Sequence, residues 1–204
     1  MSSKEEVGVV GYVEVIVRDK HGRVKQRAGS PPPGRLARRG LLSRLAALLS
    51  SLRGDPPVAP EAVSSMPASS AAVTGILRNI VTNAGLSEMI KLVFGLGGTA
   101  FGYIAIGTGT AAESATDTAL QTEIKRKSAT KSQTTTTVSG DTCLLTATFS
   151  SADGLTGTSA VTEAGVFNAA TGGVLLCRKV FSAVNVNWDA GDTLTVNYYV
   201  QLSR

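Results

Sequence analysis

The stretch 193–202 alternates apolar and polar side chains at every step, a period of two that gives an extended β-strand two different faces. Its apolar face is formed by Leu194, Val196, Tyr198, Val200 and Leu202. Further strand-like stretches occupy 142–149, 159–167 and 174–181, and glycine-containing turns separate them. Strands at such short spacing are typical of antiparallel sandwiches and jelly rolls.

The beginning of the chain carries another strand pattern. Residues 7–17 alternate, and Val9, Val13, Val15 and Val17 share one face. The sequence Asp19–Gly22 is typical of a turn, and residues 24–27 can return as a short second strand.

The remaining elements complete the predicted fold. We expect strands at 76–81, 101–106 and 134–138, and one or two helical turns within 114–124. A helix is predicted at 83–94, with Gly95 as its stop and one side formed by Leu86, Met89, Ile90 and Val93. The sequence therefore predicts a mainly β protein, an antiparallel β-sandwich or jelly-roll-like domain with one or two short helices and a Pro/Ala/Leu-rich insert.

We predict three parts: an N-terminal strand or hairpin at 1–27, an insert at 28–75 and the main β-sandwich domain at 76–204. The insert opens with a proline run and ends in a Pro/Ala/Ser-rich linker. Between them, 35–53 is predicted to form a basic amphipathic helix whose apolar face carries Leu41, Leu45, Leu48 and Leu52. These leucines are candidate assembly contacts, and binding of 35–53 to a membrane is the alternative.

The positive charge is concentrated in the N-terminal part. Residues 1–78 hold twelve Lys and Arg against six Asp and Glu, whereas residues 79–204 hold eight against nine. The C-terminal part therefore has no basic footprint of the kind that nucleic acid requires. No stretch approaches the ~20 apolar residues of a membrane span, and the polar start Met1–Glu6 does not resemble a signal peptide.

The residues that support chemistry are sparse. His21 is the single histidine, and the acidic residues lie mostly where turns or helix starts are predicted. Gly107-Thr108-Gly109 lacks the lysine that follows in a phosphate loop. We therefore expect no enzyme, no cofactor and no metal site, and a hydrolase with two carboxylates brought together by folding is a remote alternative.

Cys143 and Cys177 each fall in a predicted strand. Their separation does not match a zinc motif. Two interpretations stay open, a pair of small buried apolar side chains and a disulfide.

Several stretches resemble tailed-phage and related virus structural proteins of the tail-fibre, head-fibre or decoration type. The resemblance covers residues 7–27 and 76–204, leaves the insert outside, and rests on turn and strand motifs at 19–22, 79–86, 101–110, 115–120, 162–173 and 190–196. It implies a broad structural role and supplies no catalytic residues.

We therefore expect a virion structural protein, a self-associating subunit of an external fibre, tail or capsid decoration. Its expected partners are copies of itself and other virion proteins, and neither nucleic acid nor a membrane is the expected partner. Its expected location is the surface of a phage or archaeal virus particle or one of its appendages, extracellular after release.

A cell-surface adhesin or glycan-binding module is the alternative function. It rests on Trp188, which lies beside Asn185, Asn187 and Asp189 in a predicted loop. The indole would be a ligand contact there, unless it packs against the edge of the core.

The N-terminal strand also leaves two arrangements open. Because the insert is a long tether, the strand at 7–17 could be exchanged between subunits, which would make Val9, Val13, Val15 and Val17 assembly contacts. The alternative is a hairpin within its own chain.

Overall fold

The computed structural model describes residues 8–29 and 78–203. In chain order the elements are β1 Gly8–Arg18, β2 Val24–Gly29, β3 Arg78–Val81, α1 Asn83–Val93, β4 Tyr103–Gly107, β5 Glu123–Ser128, β6 Thr130–Thr134, β7 Thr142–Phe149, a 3-10 turn Ser151–Asp153, β8 Thr158–Phe167, β9 Leu175–Asn187 and β10 Thr193–Ser203. The prediction of a mainly β, antiparallel sandwich with a short helix is confirmed.

All neighbouring strands in the described residues pair antiparallel, in the order β5-β4-β8-β9-β3-β1-β10-β7-β6, and β2 pairs with β1 beside β3. The short strand β3 joins the two halves, because it pairs with β1 through Asn79 and with β9 through Val81. At the other corner, Ala129 alone separates β5 from β6, so the chain passes directly from one half to the other. The sheet is therefore nearly closed, between a sandwich and a barrel.

The core lies between the two halves. One half contributes fully buried Val13, Val15 and Val17 of β1 with Leu194, Val196 and Tyr198 of β10, and the other contributes Ile104, Ile106, Val161, Val166 and Val186. The hydroxyl of Tyr198 donates a hydrogen bond of 2.7 Å to the carbonyl of Ala164 across the core. Alternate side chains of each central strand thus point into this core, and the opposite side of β1 and β8 is also largely buried.

The N-terminal hairpin is an integral part of this sandwich. β1 pairs with β10 along its whole length, from Gly8 with Ser203 to Arg18 with Thr193. It is a central strand, since β2 and β3 lie on its other side. Residues 8–27 therefore share one core with residues 78–203, although the sequence analysis treats 1–27 as a separate part.

Two local predictions were wrong. The region 114–122 forms turns instead of helix, because its backbone groups bond elsewhere: the N–H groups of Gln121 and Thr122 donate to Glu163, and the carbonyl of Ala115 accepts from Asn83. Of the predicted strand at 134–138 only Thr134 is in a strand, and 135–138 form a loop because the N–H groups of Thr136, Thr137 and Val138 donate to Asp141. The strand itself lies earlier, at β6, whose side chains are polar and mostly exposed.

Candidate functional site

Glu163 of β8 is a wholly buried carboxylate with four donors. Its Oε1 accepts the backbone N–H groups of Thr122 at 2.7 Å and Gly109 at 3.0 Å. Its Oε2 accepts the N–H of Gln121 at 3.1 Å and Nε of Arg178 at 2.8 Å. Four donors fill the lone pairs of a carboxylate, so its function here is to fix the loop 108–122 onto the sheet.

Arg178 of β9 completes this network. Its Nη1 lies 2.9 Å from Asp117, and its Nη2 donates to the carbonyl of Ala111 at 3.0 Å. Burial alone would lower the pKa of Arg178, but the hydrogen bonds that its guanidinium donates to Asp117 and Glu163, and the negative charges of these two groups, raise the pKa further than burial lowers it. The guanidinium is therefore a permanently charged structural centre.

The network joins stretches that the sequence singled out separately. Gly109, Asp117 and Glu163 come from three of the motifs that carry the resemblance to virus structural proteins, and Arg178 ties them together. The sequence signal for the network was the presence of charged side chains, Glu163 in β8 and Arg178 in β9, within two mostly apolar stretches. Charges at such positions need a partner across the fold.

Helix α1 covers one end of the sandwich, and polar contacts fix how it is rotated. Thr82 caps the helix by accepting the N–H of Gly85 at 2.9 Å, and its hydroxyl donates to the carbonyl of Leu175. Glu88, nearly buried, accepts the N–H of Thr99 at 2.7 Å and the amide of Asn168 at 3.3 Å. The side of α1 that faces the protein therefore carries Gly85 and Glu88, together with Met89, which packs against the core.

The close approach at Gly85 explains why that position lacks a side chain. A Cβ there would lie 2.6 Å from the carbonyl oxygen of Leu176, which is backbone and cannot move aside. Only glycine allows the helix to rest directly on the first residues of β9.

The apolar side of α1 faces solvent as a consequence. Leu86, Ile90 and Val93 follow each other at the i, i+4, i+7 spacing of one helical face and are 43%, 54% and 71% exposed. Phe94 and Leu96, directly after the helix, are 68% and 67% exposed. We call these five residues the α1 face. Surface helices of globular proteins ordinarily bury such a stripe, whereas in α1 only Met89 of the predicted apolar side packs against the core and the other three residues are exposed.

An open groove of about 430 Å³ adjoins the helix. Its apolar lining comes from Met89 of α1, Cys143 of β7 and Val200 and Leu202 of β10, with Lys131 on β6 as its one cationic side chain. Leu202 is 58% exposed. The groove therefore adjoins α1 at Met89, beside the α1 face, whose five residues do not line it.

Asp141 forms the polar rim of this groove. Burial alone would raise the pKa of its carboxyl, but the backbone N–H groups of Thr136, Val138 and Thr137 and the hydroxyl of Thr142 lower it further, so that the pKa lies well below its ordinary value. The side-chain amide of Gln201 donates a further hydrogen bond to it. The carboxylate thus fixes the loop that precedes β7.

The valines predicted as assembly contacts lie elsewhere. Val13, Val15 and Val17 are fully buried in the core of their own chain, and Val9 pairs with Leu202 inside the same sheet. Within this single chain β1 forms the intrachain hairpin, and exchange of the strand between subunits stays a prediction. The four leucines predicted as the other assembly contacts, Leu41, Leu45, Leu48 and Leu52, lie outside the described residues.

Trp188 does not occupy a ligand site. It is 1% exposed and packs in the core, and its indole N–H donates to the hydroxyl of Ser159 at 2.9 Å. A buried indole presents no face to a sugar ring, so the predicted ligand contact is replaced by the alternative, packing against the core.

Both cysteines carry free thiols, so the disulfide interpretation is replaced by that of two separate apolar side chains. Cys177 is fully buried in β9 and Cys143 is half-buried in β7. Burial raises the pKa of the Cys177 thiol well above its ordinary value, which keeps it protonated and unreactive.

Comparison with protein-family models, with curated proteins and with solved structures gave no match. Within 8–29 and 78–203, no helix has the length and apolar character needed to cross a membrane. A metal-binding group of three or more His, Cys, Asp or Glu side chains is also absent from these residues. The α1 face with its groove is accordingly the candidate site that the geometry offers.

Proposed function

We propose that this protein is a structural subunit of a virus particle, one that assembles with copies of itself in an external fibre, a tail or a capsid decoration. The observation that carries the proposal is the α1 face. Large apolar side chains gathered on one exposed surface are characteristic of protein–protein contact sites. The resemblance of its motifs to those of phage structural proteins supports the assignment of this subunit to a virus particle.

The interior supports a structural role as well. Glu163 and Arg178, the two most deeply buried charged side chains of β8 and β9, have all their charge directed at each other and at the loop 108–122. Such a network makes one rigid conformation, which suits a subunit that must present the same surface many times.

Glycan binding is not proposed as a second function, because the residue that suggested it is buried. With Trp188 in the core, no observation in the described residues favours that alternative.

Sedimentation velocity of the full chain over a hundredfold range of concentration tests the self-association. We expect the mean mass to rise with concentration beyond that of the 21.0 kDa chain. A chain that stays at its monomer mass throughout this range would contradict the proposal. Mass spectrometry of purified particles, in which the chain should be present at a constant copy ratio, tests the viral setting separately.

A further inference from the structure

We propose that the α1 face pairs with the same face of a second copy of this chain across a two-fold axis, with the two α1 helices antiparallel. This inference rests on the proposed self-association and names its contact. It concerns Leu86, Ile90, Val93, Phe94 and Leu96, none of which the sequence patterns marked as assembly contacts.

The exposure of these side chains is built into the fold. Turning α1 about its axis to bury the stripe would break the hydrogen bonds of Glu88 with Thr99 and Asn168 and would lift Gly85 off the backbone of Leu176. Polar and steric contacts therefore hold the apolar side outward. Since the chain cannot bury this surface by turning the helix without losing these contacts, binding of another molecule is the way to cover it that costs least free energy.

The area suits a dimer. If each fully exposed side chain of this size presents ~200 Å², the α1 face presents on the order of 600 Å², the upper limit of what monomers ordinarily expose. Leu202 across the groove extends the surface toward the ~800 Å² that each partner contributes to a standard interface.

The distribution of charge on the protein favours the α1 face of a second copy as the partner surface. Within the helix, the carboxylate of Glu88 and the amine of Lys91 lie 3.2 Å apart, so the pair neutralises itself. The opposite end of the sandwich instead carries Asp19, Arg23 and Lys25, whose charges would be desolvated against an apolar partner. Among the described residues the best match for the α1 face is therefore a second α1 face.

Ile90 is the middle residue of the stripe and lies nearest the proposed axis. In a two-fold contact each residue near the axis meets its own counterpart. Two Ile90→Glu chains would therefore oppose carboxylates, and two Ile90→Lys chains would oppose amines. An equimolar mixture would pair opposite charges.

The experiment measures the mass of full-length Ile90→Glu, Ile90→Lys and their mixture by analytical ultracentrifugation. We expect each variant alone to dimerise at least 100-fold more weakly than the parent chain, and the mixture to recover at least tenfold. Val24→Glu and Val24→Lys are the matched controls, because Val24 is a 41% exposed hydrophobic side chain at the opposite end of the sandwich. They should associate like the parent chain.

The outcomes separate this contact from the proposed function. If the Ile90 variants keep the parent mass, the α1 face is not the contact although the chain self-associates. If both variants become monomers and mixing restores nothing, the contact is not two-fold and the inference is wrong. A lower melting temperature of the Ile90 variants at low concentration, where the parent is monomeric, would show that another part of the same chain covers the face. A parent chain that never associates overturns both proposals.

Discussion

At the scale of single residues, the fold depends on a few charged groups whose partners are backbone N–H groups. Glu163 binds three of them and Asp141 another three, and in each case a loop takes its shape from the carboxylate. A turn stabilised in this way needs neither helical nor strand propensity. The turn is stabilised by the hydrogen bonds that one acidic side chain accepts from it.

Replacement of Glu163 should be costly. In Glu163→Gln the amide nitrogen faces donors, and Arg178 keeps only Asp117 as a charged partner. We expect a loss of about 3 to 5 kcal/mol in the free energy of unfolding, as for other broken buried pairs. Glu123→Gln is the control, since its partner Arg126 also contacts the ring of Phe167 and the pair lies partly in solvent. Its loss should be about 1 kcal/mol or less. Equal losses in urea unfolding would contradict this account of the network.

Asp141 gives the protein a defined acid sensitivity. Its folded pKa lies below the ordinary value of 3.8, so the unfolded chain binds the proton first. The carboxylate therefore stabilises the fold above about pH 4, and this stabilisation is lost as the pH falls below that value. Asp141→Asn should lower the free energy of unfolding at pH 7 by about 1 to 2 kcal/mol.

The same variant should also flatten the acid limb of the stability curve. Between pH 4 and pH 2 the parent chain should lose stability more steeply than Asp141→Asn, since the variant has no proton to take up there. Denaturant unfolding at several pH values measures both slopes. Parallel slopes would mean that other carboxyls, such as Asp19 and Asp153, whose pKa values are also lowered, account for the acid sensitivity.

At the scale of elements, the strands were predictable wherever side chains alternate. The pattern placed β7 at 142–149, as observed, and β1, β8 and β10 within one residue at nearly every end. It failed at β5 and β6, polar edge strands in which no residue falls in the fully buried class, and it ended β9 at 181 although the strand continues to Asn187. It also failed at 114–122 and 135–141. There the backbone N–H groups donate to the carboxylates of Glu163 and Asp141.

The candidate site was hidden from the sequence for a related reason. The pattern grouped Leu86, Met89, Ile90 and Val93 on one side of a helix, and an apolar stripe ordinarily faces the core, but only Met89 packs there while the other three are exposed. Only the contacts of Gly85 and Glu88 reveal that this stripe faces outward. The orientation of a helix depends on partners that are distant in sequence, and no local pattern contains them.

The position of β1 makes a prediction about truncation. Without residues 1–27 the sandwich loses a central strand and three fully buried valines, Val13, Val15 and Val17. The three side chains alone contribute about 2 kcal/mol each, a sum comparable to the whole free energy of unfolding of a marginally stable domain, and the backbone pairing of β1 with β10 is lost as well. We expect the shortened chain to be unfolded by circular dichroism.

Addition of the missing strand provides the counterpart of that experiment. A synthetic peptide covering residues 1–29 should restore the β signal of the shortened chain if β1 can be supplied by a separate molecule. Restoration would support exchange of this strand between subunits. A shortened chain that folds alone would instead show that β1 is not required, against the arrangement described here.

At the scale of the whole molecule, the two ends of the sandwich differ in character. The end that carries the 19–22 turn is charged, whereas the other end combines the α1 face with the groove beneath Leu202. Large exposed apolar patches of this kind are characteristic of protein–protein contact sites. The central claim is therefore that association covers the α1 end.

Hydrogen–deuterium exchange of the full chain at two concentrations, below and above the onset of association, tests this claim most directly. Peptides that cover 83–98 and the groove strand around Leu202 should exchange more slowly at the higher concentration. Peptides from the 19–25 turn should exchange at the same rate in both samples and serve as the internal control. Slower exchange at the turn with no change at 83–98, or no difference anywhere while the mass increases, would contradict the account.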